Sequence, residues 1–393
     1  MTEPESDSEE SYAYGRRQID DMSDRTVEPG QGRITGYLAL TLGAMSFLGV
    51  LCFRYPEYLT TTELRQVYDV DLLRTVLMIC MWTALTSGLI NIVRNRRKRL
   101  GASGLLFVAL AYAFGGYTVD TGSVDPKIGL GLDWFLLDLL GSALVFLAIE
   151  KLVPKYPEQA VFRPEWKTDL AYFGMNHLLV AVLLLVGNSF APALFDWAVH
   201  AGLQGAVLSL PLWGQVILLV ACADFVQYWI HRAYHEVSFL WPLHAVHHSA
   251  EHMDWLAGSR THVFQTLIDR TLVMVPLYLL GADKAAFDLY VTVAALQSVF
   301  AHANVSLRFG PLEALVVTPK FHHWHHSSDT PAIDTNYAVH LPLWDKLFGT
   351  YHMPDEQWPR EYGTTKRLPR TFWAQFLYPL SRNRQADTQS EKG

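Results

Sequence analysis

The sequence predicts an all-α, polytopic membrane helical bundle. Two observations predict it: a succession of apolar segments near the length of a bilayer core, and basic runs at alternate segment ends. The composition agrees. Of 393 residues, 50% are hydrophobic and 18% charged, below the roughly 25% charge of soluble domains. The net charge of −7 is mild and points to no nucleic acid.

Residues 1–33 are acidic and polar, without the basic and apolar regions of a signal peptide, and are expected to form a disordered cytoplasmic tail. Eight apolar segments of about 20 residues follow: Ile34–Phe53, Leu72–Val93, Ala102–Val119, Leu132–Ile149, Leu170–Phe195, Leu208–Ile230, Phe264–Leu280 and Ala285–Val305. The densest basic run, Arg94–Arg99, belongs inside by the positive-inside rule. Counting spans from it places the tail and Lys151–Lys167 inside too, and then His231 and His322. Cys52, Cys80 and Cys222 lie in apolar segments at unrelated spacings and form no redox or metal motif. Composition divides the chain into residues 34–150, with spans and almost no candidate chemistry, residues 151–362, and a polar end, 363–393.

The middle part carries three histidine clusters: His231 and His235; His244, His247 and His248; His322, His325 and His326. Residues three or four apart share a helical face, so each cluster is expected to be a patch of imidazoles on one side of a helix. Buried imidazoles need partners, and imidazole is the commonest protein metal ligand. Eight histidines exceed the ligand set of one ion, which implies two metals. Asp224, Glu236, Asp334 and Asp345 are candidates to orient the rings, because a ligating histidine usually donates its second nitrogen to an oxygen.

The runs Asp224–Arg232, Leu240–Ser249, Thr318–Ser327, Asn336–Tyr337 and Trp344–Tyr351 strongly resemble the fatty acid hydroxylase / sterol desaturase superfamily over roughly residues 151–362. The resemblance implies an integral membrane di-iron oxygenase that uses dioxygen and external electrons, with the eight histidines as ligands. It adds His302 as a further ligand. His262 falls where many members carry Arg-x-His-Pro, although Val263 replaces the proline, and Ala338 replaces the glycine of Asn-Tyr-Gly. His323 lies about 100° round a helix from His322 and is expected behind the ligands or facing solvent, as are His252, His340 and His352.

The expected cofactors are two iron ions, with zinc able to take the site in an inactive form. The expected substrate is a membrane lipid (an acyl chain, sterol or relative), hydroxylated at an unactivated C–H bond, with desaturation at the same site as the alternative. No cytochrome, flavin or iron–sulfur motif is present in the sequence, so a separate donor is expected: a cytochrome, ferredoxin or reductase. A zinc transporter or sensor is the rival of another class, but transporters tend to hold ligands near the bilayer midplane, whereas these clusters lie at segment ends.

Overall fold

The computed structural model describes residues 33–60, 69–95, 98–122, 131–178, 189–354 and 357–381. The expected N-terminal tail, residues 179–188 of the fifth apolar segment and the chain beyond 381 lie outside them. Helices dominate; among the described residues only two isolated β-bridges occur. Among the described residues, seven helices are long and apolar enough to cross a membrane. The described part of the fifth expected segment is helical over Trp166–Leu178 and 189–195.

The chain forms two compact units. The first contains α1 (Arg33–Arg54), α2 (Val70–Arg94), α3 (Arg99–Ala113) and the start of α4 (Leu132–Leu152). Its helices meet through small residues. A Cβ on Gly104 would stand 2.4 Å from the Ala39 backbone, and one on Gly43 would stand 2.6 Å from the Gly104 carbonyl. Such close approach supplies the van der Waals contact that associates helices in lipid, where no hydrophobic drive operates between them. Asn91 and Asn95 both donate to Thr35 Oγ1, at 3.2 and 3.0 Å.

The second unit takes the rest of α4 and everything from Pro164. It contains α5 (Trp166–Leu178), α6 (Ala201–Leu208), α7 (Leu212–Glu236), α8 (Trp241–His248), α9 (Val263–Leu280), α10 (Lys284–His302), α11 (Pro319–His325), α12 (Leu343–Phe348) and α13 (Phe372–Leu377). The α9 helix starts where the His262 ring accepts the Phe264 N–H and stops at Gly281, which takes the left-handed φ of 57°. Leu219, Ala223, Leu277, Ala286 and Tyr290 knit α7, α9 and α10 into an apolar core. At the opposite end of this unit, the C-termini of α4, α7 and α10 and the N-terminus of α9 come together. One carboxylate oxygen of Glu150, near the end of α4, accepts the N–H groups of Trp255 and Asn304 at 2.7 and 2.9 Å. Residues 363–381, which composition groups with a polar tail, pack here too: Gln375 donates to Ser249 Oγ, and Phe376 gives its carbonyl to His262.

Candidate metal centre

Nine histidines collect at this end in two groups. His231, His235, His244, His248 and His325 bring one ring nitrogen each to within 4.8 Å of one another, and His247, His302, His322 and His326 do the same. Two groups agree with two ions. The partition does not follow the sequence clusters. His244 and His248 enter one group and His247 the other; His322 and His326 enter one group and His325 the other. The expectation of one patch per cluster is therefore refined. From position i, residue i+3 sits about 60° to one side and i+4 about 40° to the other. The two short helices α8 and α11 thus each face both groups at once.

The tautomers are set from outside. His231 Nδ1 lies 2.6 Å from the Tyr337 carbonyl, His325 Nδ1 2.8 Å from that of Thr335, His247 Nδ1 3.1 Å from that of Arg260, and His302 Nδ1 2.7 Å from that of Ser298. A carbonyl only accepts, so each Nδ1 carries the hydrogen and each Nε2 presents a lone pair. These lone pairs point at one another. Nε2 atoms stand 2.9 Å apart between His231 and His244 and between His302 and His322. His235 Nε2 and His325 Nε2 are buried without a hydrogen-bond partner. Facing lone pairs and orphaned buried acceptors are costly, and a cation at each group removes the cost. The residues present fit a metal.

Electrostatics agree. Burial, reinforced by neighbouring imidazoles, pushes His244, His248, His322 and His326 well below the usual histidine value. Neutral rings are the form that ligates.

In the five-histidine group, three of the oxygens that fix the tautomers belong to a built loop. Asp334 and Asn336 adopt positive φ, both 59°, which Asp and Asn tolerate best among non-glycine residues. That turn lets residues 334–337 supply three contacts: Asp334 Oδ1 to His235 Nδ1 at 3.1 Å, and the Thr335 and Tyr337 carbonyls. Asp345 holds the loop by accepting the N–H of Tyr337 and Ala338, and burial pushes its carboxyl up to about 6. Asp224 accepts the N–H of Val339, His340 and Leu341 at 2.7 to 3.0 Å. Of the four acids nominated from sequence, only Asp334 touches a histidine of the groups. Asp224 and Asp345 act through backbone, and Glu236 pairs with Arg232 at 2.7 Å.

The remaining histidines separate cleanly. His323 joins neither group and does not face solvent: it is 0% exposed, donates from Nε2 to the His302 carbonyl and accepts the Tyr362 hydroxyl at Nδ1. Burial lowers it to about 3. His262 caps α9 and joins neither group. His340 is buried against Gln297, and His352 packs edge-on to Trp324.

Sequence reasoning missed two supports. His244 Nδ1 lies 3.1 Å from Gln265 Oε1, Gln265 Nε2 donates to Asp269 Oδ2 at 3.3 Å, and Tyr234, stacked on His244, donates to Asp269 Oδ1 at 3.0 Å. Because a carboxylate only accepts, Asp269 turns the Gln265 amide so that its oxygen meets His244. Behind the four-histidine group, the fully buried Arg260 pairs with Asp169 and Glu165 at 2.5 and 2.7 Å and offers its carbonyl to His247. The i,i+4 spacing of Gln265 and Asp269 at the start of an apolar segment was the one available signal.

A family model described as fatty acid hydroxylase matches residues 216–350, the stretch that carries all nine histidines. An ornithine lipid hydroxylase of Rhizobium tropici is 32% identical over 252 residues, covering 63% of this chain and 76% of that protein. The alkylglycerol monooxygenase of Homo sapiens is 34% identical over 134 residues, 34% of this chain and 30% of that protein. A very-long-chain aldehyde decarbonylase of Oryza sativa subsp. indica is 32% identical over 278 residues, 64% of this chain and 42% of that protein. No solved structure matches the chain.

Proposed function

The chain belongs to the fatty acid hydroxylase family, and from that premise we propose that it is a multi-pass, di-iron oxygenase that hydroxylates a membrane lipid. The observation that carries this reading is the two sets of converging Nε2 atoms, six of them left unprotonated by an oxygen at Nδ1. We assign His231, His235, His244, His248 and His325 to one ion and His247, His302, His322 and His326 to the other. All-nitrogen donors suit iron, zinc, copper and nickel. Five donors in one group exceed the four that zinc usually takes in structural sites, which favours iron.

The chemistry a bound iron pair supplies is dioxygen activation and hydrogen removal from an unactivated C–H bond. In the balanced reaction one oxygen atom enters the C–H bond and the other leaves as water, using two electrons and two protons. The electrons come from a separate cytochrome, ferredoxin or reductase. The chain's own oxygens hold six of the nine imidazoles, those of His231, His235, His244, His247, His302 and His325, with the hydrogen on Nδ1, and burial keeps the rings neutral. The groups sit at the ends of candidate membrane helices, level with lipid headgroups, and the basic runs of the sequence support a cytoplasmic placement. Hydroxylation is favoured over desaturation because the relatives named above include a lipid hydroxylase and a monooxygenase.

The test is reconstitution with ferrous iron, dioxygen, an electron carrier and a total lipid extract, followed by mass analysis. A lipid gaining one oxygen is expected, with turnover near zero when the carrier is left out. Loss of two hydrogens would move the assignment to desaturation. No oxygen uptake with a full metal complement would overturn it.

A further inference from the structure

Residues 363–381 belong by composition to a polar end, yet the outer face of α13 is apolar. Trp373, Leu377 and Leu380 keep 66%, 56% and 73% of their surface exposed. Trp373 and Leu377 lie four apart on α13, and Leu380 follows three later in a 3₁₀ turn, Tyr378–Leu380, so the three share one side. The other side is docked. Gln375 is fully buried and donates to Ser249 Oγ at 3.1 Å, Phe372 meets Tyr172 edge-on at 4.8 Å, and Phe376 stacks on His262 at 5.1 Å. The segment is therefore fixed with its apolar stripe outward.

The neighbours of α13 place it relative to a bilayer. The His262 ring that stacks on Phe376 also caps α9 and lies 5.5 Å from the ring of Phe264, which is exposed on the first turn of that candidate span. The 18 residues of α9 rise about 27 Å, close to the roughly 30 Å of a hydrocarbon core. Its first turn thus stands where headgroups begin, and α13 lies beside it. Charge agrees with that level. Residues 363–381 include Lys366, Arg367 and Arg370 and no acid. Arg367 and Arg370 contact Glu251, and Arg370 also Glu165, while more than half of each arginine side chain stays exposed.

We propose that residues 372–380 are a membrane-interface anchor. Trp373, Leu377 and Leu380 sink into the boundary between headgroups and acyl chains, and the basic residues just before them face anionic headgroups. An apolar stripe with lysine and arginine beside it is the chemistry of an interfacial helix, and tryptophan is enriched at that level. The anchor does not depend on which reaction the metal centre performs. Its inner contacts run from Gln375 through Ser249 Oγ to Arg260 Nη1 at 3.2 Å, and the Arg260 carbonyl meets His247. Lipid thus holds from outside a segment that braces the four-histidine group from behind.

Spin labels on the full chain, in nanodiscs of mixed zwitterionic and anionic lipid, test it. Cys52→Ser, Cys80→Ser and Cys222→Ser remove the native thiols, and Trp373→Cys, Leu377→Cys or Leu380→Cys carries the label. Leu272→Cys, exposed midway along α9, is the lipid reference. Collisions with oxygen and with a water-soluble nickel chelate should place the three labels about 5–10 Å below the headgroup surface, and the Leu272 label deeper. Adding Trp373→Glu and Leu377→Glu should move the Leu380 label out into water. The melting temperature in detergent should stay that of the parent, because both side chains point away from the docked side. Labels as open to the chelate as free label in buffer overturn the anchor. So do labels shielded from both reagents: with spin–spin broadening a second copy covers the stripe, and without it another segment of this chain does. A Leu380 label that keeps its depth in the glutamate variant overturns the stripe as the mooring. A Leu272 label in water sinks the spanning assignment of α9, and the anchor with it.

Discussion

In the five-histidine group, Nδ1 contacts come from a loop and a neighbouring helix: the Tyr337 and Thr335 carbonyls, Asp334 and Gln265. A cleft reaches three of its rings. In the four-histidine group, His247 and His302 are aligned by the carbonyls of Arg260 and Ser298, and Gly258 packs so closely that a Cβ there would stand 2.8 Å from His302 Nδ1. One group is open and framed mainly by a folded loop; the other is enclosed and framed by helix ends. The contrast teaches where precision comes from. An accessible site needs a loop, and that loop needs its own anchors, Asp345 and Asp224. An enclosed site draws the same precision from packing.

The largest effect that could break this comparison is removal of a ligand. His325→Ala should leave the four-histidine group loaded and empty the other, whereas His326→Ala should do the reverse. Each variant should fall from about two irons per chain to about one and lose turnover, as read by metal analysis and oxygen uptake. Loss of both irons from either variant would mean that the groups form one site.

A smaller effect should sharpen the comparison. In Asp269→Asn the Gln265 amide is free to flip and present its NH2 to His244, which then carries its hydrogen on the wrong nitrogen. Iron affinity of the five-histidine group should drop roughly 10- to 100-fold, with the other group unchanged. Adding Gln265→Glu restores an obligate acceptor for His244 and should recover most of the loss. A simple packing defect would not be rescued by that second change.

Acid should weaken the loop behind the open group. Burial lowers His340 to about 4, while an unfolded histidine titrates near 6.5. Between those values the unfolded chain binds the extra proton. The stability that neutral His340 permits is therefore complete above about pH 6.5 and is lost as pH falls toward 4. His340→Gln should flatten the slope of stability against pH by up to about 1.4 kcal/mol per pH unit, measured by denaturant titration in detergent; an unchanged slope would show that His340 does not carry it.

The smallest effect is expected at His262. It belongs to neither group, so His262→Ala should keep both irons and cost only the α9 cap, about 1 kcal/mol. Loss of iron would place it among the ligands.

Much of this molecule was legible from residue order. Apolar length marked the candidate spans, and seven helices among the described residues meet the criterion. Histidine spacing led to the expectation of two metals, the structure gathers nine histidines into two groups, and the site's confinement to segment ends was visible as well. The acids were harder to read. Asp224 looked like a partner for His231 on its own helix, yet it binds backbone at Val339, 115 residues away. The contact units divide near Gly141 rather than at the compositional boundary 150/151, and Glu150 bonds Trp255 and Asn304 within its own unit.

Periodicity and apolar length are local properties, so the sequence by itself determined the helices, their candidate spans and the imidazoles each would offer. Which of two groups a histidine joins depends on how a short helix is rotated against its neighbours. Which nitrogen it presents depends on an oxygen brought from a distant loop. Both are long-range packing outcomes, and only the tertiary structure decided them.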